Sequence, residues 1–112
     1  MSRRFSFNTF EQPTLEVELR GGKTIHLEIP TVSAVERLRD ALPSLRKRIT
    51  AENIGDLRRF YELLAELMSF NTEGIRFTAE GLERDYRITL DAMIPFFTDY
   101  MAFIDEVRAS KN

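Results

Sequence analysis

The chain has 112 residues, 43% of them hydrophobic and 30% charged, with a net charge of −2 and no cysteine. That balance describes one domain with a core, since domains of this size bury roughly 60–70% of their unfolded surface. The charge points to no polyanionic partner, and the missing cysteine excludes disulfides, thiolate catalysis and thiolate metal sites.

No apolar run nears the roughly 20 residues of a membrane span. The opening MSRRFSFNTF is too polar to read as a signal peptide. A soluble intracellular protein is therefore expected. Residues 1–12 carry no helical period. Phe5 and Phe7 alternate with Ser6 and Asn8, which suits a short strand, a frayed segment, or, with Phe10, an arm docked on a neighbouring chain.

Residues 14–29 read as a hairpin. Leu15, Val17 and Leu19 alternate with charged residues, as do Ile25, Leu27 and Ile29 with polar ones, and Gly21-Gly22 lies between. A two-residue loop would set apolar Leu19 against Thr24 and put the two apolar faces on opposite sides. A three-residue loop, Arg20-Gly21-Gly22, with Gly22 left-handed in a G1 bulge, pairs Leu15 with Leu27, Val17 with Ile25 and Leu19 with Lys23. It also sets Glu16 opposite His26 and Glu18 opposite Thr24. A lone hairpin is marginal, so a third strand is sought, with Phe5–Phe7 and Ile75–Phe77 as candidates. Without it both edges stay open to another chain.

Pro30 ends the second strand. Thr31 or Ser33 caps a helix, Ser33 and Glu36 having capping-box spacing. Val35, Leu38, Leu42 and Leu45 form its stripe, and Pro43 predicts a break at Leu42. Thr50 or Asn53 caps a second helix running to about Ser69, with Leu57, Phe60, Tyr61, Leu64, Leu67 and Met68 on its core face. Asn71 and Gly74 mark its end. Thr78 opens a short helix to about Tyr86, and Thr89 caps a long closing helix. There the apolar residues from Leu90 to Val107 fill roughly half the cylinder, wider than an ordinary surface helix requires. Such a helix needs two neighbours, either both from its own fold or one of them another protein. Pro95 is expected to bend it. The fold class is thus α+β. Residues 1–12 form an arm and 14–29 an antiparallel β-hairpin, with a third short strand if one joins. Residues 31–109 form a mainly helical part of three to four helices.

Catalytic apparatus is not evident. His26 is the only histidine; with Glu28 it makes at most a weak metal pair lacking a third ligand, and it lies beside no serine. No glycine loop opens a helix to hold phosphate. No enzyme activity, cofactor or metal is therefore expected. The run Arg46-Lys47-Arg48, flanked by Arg37, Arg39, Arg58 and Arg59, is the candidate nucleic-acid patch, against which stand the acidic balance and the lack of interleaved aromatics. Phe96, Phe97, Tyr100 and Phe103 are the candidate partner-binding stripe, the simpler reading being that they are core.

The order of these elements carries a resemblance. A glycine-turn hairpin leads through Ile29-Pro30-Thr31 into a helix. There follow ITAENIGDL (49–57), TEGIRFTAEGL (72–82) and the closing MIPFFTDYMAFIDEV (93–107). From Leu15 onward this layout resembles the small tail assembly chaperones of long-tailed bacteriophages and prophages. The resemblance implies a non-enzymatic protein of the host bacterial cytoplasm. It would self-associate, coat the long helical tape measure protein, and aid assembly of the tail tube protein around it. It also implies that a longer frameshifted product can exist. No family binding motif maps onto individual residues here. A nucleic-acid-binding or regulatory module is the alternative, and a structural tail component a third reading.

Overall fold

A computed structural model describes residues 2–9, 12–45 and 54–109. Alternation of apolar and polar side chains folds Leu15–Glu18 (β1) against Thr24–Leu27 (β2), antiparallel. The register is Leu15 with Leu27, Glu16 with His26, Val17 with Ile25 and Glu18 with Thr24, as the three-residue loop requires. The Leu19 N–H donates to Lys23 O at 2.7 Å and the Gly22 N–H to Leu19 O at 3.0 Å. Both glycines take positive φ, 95° at Gly21 and 91° at Gly22. Gly21 occupies the turn position that needs it and Gly22 the bulge. Only Gly22 was expected to do so.

The hairpin does gain a neighbour, but from neither expected segment. Leu27 bridges to Asn71. The Glu28 N–H donates to Phe70 O at 2.7 Å, and the Thr72 N–H to His26 O at 3.0 Å. Ile75–Phe77 is loop, and Phe7–Thr9 is a turn of 3-10 helix. The segment after the second helix wins because Asn71 is held there. Its amide donates to Met68 O at 2.8 Å and Ile75 O at 2.7 Å and accepts from the Ile75 N–H at 2.9 Å. This is the economy demanded of a buried polar side chain.

Four helices follow among the described residues: α1 (Val32–Leu45), α2 (Ile54–Met68), α3 (Ala79–Arg84) and α4 (Leu90–Ala109). Thr31 caps α1, its Oγ1 accepting from the Ala34 N–H at 3.3 Å. Ser33 is inside the helix and instead accepts from Arg37 at 2.7 Å. The expected break at Pro43 does not occur. The helix continues to Leu45, which is buried on the same stripe as Val35 and Leu38, and this packing outweighs one lost ladder bond. The caps proposed for α2 at Thr50 or Asn53 lie outside the described residues. Thr78 caps α3, accepting from the Gly81 N–H at 3.0 Å. Thr89 opens α4 by accepting the Ala92 and Met93 N–H groups through its carbonyl.

The core lies between the inner face of the hairpin and the helices. Ile25 and Leu27 belong to one buried cluster with Leu38, Leu64, Leu67, Leu82, Met93, Phe97, Tyr100 and Ile104, all essentially without solvent contact. The fold is therefore an antiparallel hairpin followed by a mainly helical region of about four helices.

Candidate functional site

Because α4 is apolar over so wide an arc, its neighbours decide what remains for a partner. Phe97 and Tyr100 are fully buried. Tyr100 reaches past the core to donate its hydroxyl to Glu28 O at the end of β2, at 2.5 Å. Burial, with the Glu28 charge nearby, raises its pKa well above the ordinary phenol value. These two residues are core, which corrects their place in the predicted partner stripe. Phe96 and Phe103 are only half buried, beside Ile94. Phe96 packs on Phe97 and Tyr100 with ring centres 5.8 and 5.7 Å away, and Tyr100 stacks on Phe103 at 6.4 Å. The long helix thus finds both of its neighbours, α1 and the hairpin end, within its own fold.

Several concavities remain among the described residues, and two of them bear on binding. A groove of about 710 Å³ runs between α1 and α2. Ala41, Phe60 and Leu63 give it an apolar floor, and Arg37, Asp40, Asp56, Arg59, Glu62 and Glu66 a rim of both charges. Arg37 is held across the groove by Glu66, its Nε donating at 3.1 Å to Oε1 and its Nη2 to Oε2. Leu63 falls outside the core face read from the sequence, so the groove floor was not foreseeable from that arc. A second cavity of about 210 Å³ opens where β1 passes over α2 and α4, lined by Val17, Leu19, Leu64, Met68, Ile88 and Phe96 among others.

Arg46, Lys47 and Arg48 lie outside the described residues. Three of the four arginines expected to converge with them stand beside carboxylates. Arg37 is bound to Glu66, Arg39 lies 3.9 Å from Asp105, and Arg59 lies 3.9 Å from Asp56. All are exposed pairs of small energetic weight.

His26 has a partner that sequence reasoning missed. Glu73 accepts the His26 backbone N–H at 2.9 Å through Oε1 and meets Nδ1 at 2.6 Å through Oε2. The imidazole pKa is raised by this carboxylate, with Glu16 across the ladder adding to it, while Glu73 is lowered to about 2, chiefly by the backbone donor and then by the ring. Glu73 is 47 residues from His26 in the chain. The only cue is that it follows Asn71, which is itself placed by packing. Among the described residues no group of three or more His, Cys, Asp or Glu is arranged to hold a metal, and no helix is long and apolar enough to cross a membrane.

Hairpin, bridging Asn71 segment and helices define a small α+β domain with a groove between α1 and α2. No protein-family model matches the chain, and neither a curated protein nor a solved structure matches it significantly.

Proposed function

We propose that the protein is a tail assembly chaperone of a long-tailed phage or prophage. In this reading it works in the host bacterial cytoplasm, binds a helical stretch of the tape measure protein and promotes tail tube assembly without a catalytic step. The observation that carries it is the α1–α2 groove. An apolar floor between rims of both charges suits an amphipathic helix, which inserts residues spaced three and four apart and keeps its charged flank at the rim. The layout of the chain from Leu15 onward supports the same reading. The client surface moves accordingly, from the α4 stripe to the groove.

The test is binding of tape measure helical segments, from the same phage or prophage, to the purified protein by calorimetry. Ser44 lines the groove and is not part of its apolar floor. Ser44→Trp should fill the groove and weaken binding by about tenfold or more. Absence of binding by every segment, or binding indifferent to Ser44→Trp, overturns the proposal. Mass spectrometry of purified virions separates a chaperone, absent from the particle, from a structural tail component. Steeply salt-dependent retention on DNA or RNA would favour the nucleic-acid alternative through Arg46, Lys47 and Arg48.

A further inference from the structure

The molecule measures 67 × 29 × 19 Å, with a radius of gyration of 16.2 Å. A compact domain of this length is expected near about 13 Å. Residues 2–9 carry exposed aromatic surface. Within them the Phe5 and Phe7 rings meet edge to face at 4.9 Å and are nevertheless 68% and 81% exposed. Two large aromatic side chains two residues apart are costly to leave in water, at about 1.5–3 kcal/mol each relative to burial. Arg3 and Arg4 precede them directly.

The opposite end of the complementarity is on β1. β2 is bordered by Phe70–Thr72, but among the described residues no strand borders the other edge of β1. Leu19 and Lys23 share a ladder bond, so in this alternating pattern Val17 also points its N–H inward, toward β2. The outward amides are those of Glu16 and Glu18, whose side chains are exposed. On the inner face the cavity of about 210 Å³ is lined by Val17 of β1 and Leu19 just past it and by no residue of β2, so it lies on the β1 side of the hairpin.

We propose that the N-terminal segment of a second copy of this chain docks along β1. It adds a strand to the open edge and seats Phe5 or Phe7 in the cavity between β1, α2 and α4. Three features argue for that occupant. In an extended strand Phe5 and Phe7 share one face and Arg4 and Ser6 the other. With the aromatics turned inward toward Val17, Leu19 and Phe96, Arg4 is on the outer face with Glu16 and Glu18, opposite in charge. The cavity has the volume of a single large side chain. Finally, the donated segment lies outside the core of its own chain, so giving it up unwinds the Phe7–Thr9 turn but leaves the core contacts described above in place. The inference concerns contacts between copies and does not depend on the tape measure reading.

Sedimentation equilibrium of the full chain over a wide concentration range is the test. The wild type should show a concentration-dependent mass above that of the monomer. Phe5→Ser/Phe7→Ser, outside the core, should raise the dissociation constant by about tenfold or more. Glu16→Arg/Glu18→Arg should weaken association likewise, and combining it with Arg4→Glu should restore it. A strictly monomeric wild type overturns the proposal, as a segment folded back on its own β1 would produce. So does association that the Phe5/Phe7 variant leaves unchanged, or a charge reversal that its complement does not rescue.

Discussion

The hydroxyl of Tyr100 ties the closing helix to the end of the hairpin. Tyr100→Phe keeps the ring and its stacking but leaves Glu28 O without this donor. The expected loss is about 1–3 kcal/mol, read as a lower urea midpoint with an unchanged slope. The His26–Glu73 clamp makes a second residue-scale prediction, about pH. A histidine pKa raised above 6.5 gives stability that is complete below that value and is lost as pH rises through the folded pKa. A carboxylate lowered from 4.5 to about 2 gives stability that is complete above 4.5 and is lost as pH falls toward 2. The clamp should therefore contribute most between roughly 4.5 and 6.5. Measured against Glu73→Gln, the difference in unfolding midpoint should be widest in that window and shrink on both sides.

Among the elements, the hairpin depends on its loop having an odd number of residues. Gly22 sits at φ 91°, where a Cβ is strained even though space around it is open. Gly22→Ala should cost about 1–2 kcal/mol, detectable by thermal unfolding. α1 is the contrasting case. Pro43 is a local signal to stop, yet Leu45 is buried beyond it. Propensity there is a small term set against a fully packed side chain. Leu45→Ala should therefore cost about 2–5 kcal/mol, more than restoring the ladder bond with Pro43→Ala could recover. α4 was legible as a wide apolar helix from the spacing of Leu90 to Val107. Which part of that width is covered was not legible, because it depends on where α1 and the hairpin end come to rest.

At the scale of the molecule, exposed apolar surface is concentrated away from the helix on which the sequence placed it. Phe97 and Tyr100 are enclosed, while Phe5 and Phe7 are in solvent, with Val32 and Ile54 also exposed. The α1–α2 groove and the open β1 edge are separate surfaces, so client binding and self-association should be separable. Ser44→Trp should leave the sedimentation behaviour unchanged, and Phe5→Ser/Phe7→Ser should leave the affinity for a bound helical segment within about threefold of wild type.

Local patterns were sufficient for much that depends on neighbours in sequence. The alternation of Leu15, Val17 and Leu19 and of Ile25 and Leu27, the parity of the loop, the Thr78 cap and the helical periods each involve residues a few positions apart. Side-chain period and backbone sterics act over that range. Tertiary structure alone decided that Asn71 rather than Phe5 or Ile75 borders β2, that Glu73 clamps His26, that Pro43 is carried within a helix, and that Phe97 and Tyr100 are core. Each of these is settled by the burial of surfaces far apart in the chain. A helix that is apolar over half its circumference looks the same in sequence whether its own fold or a partner covers it.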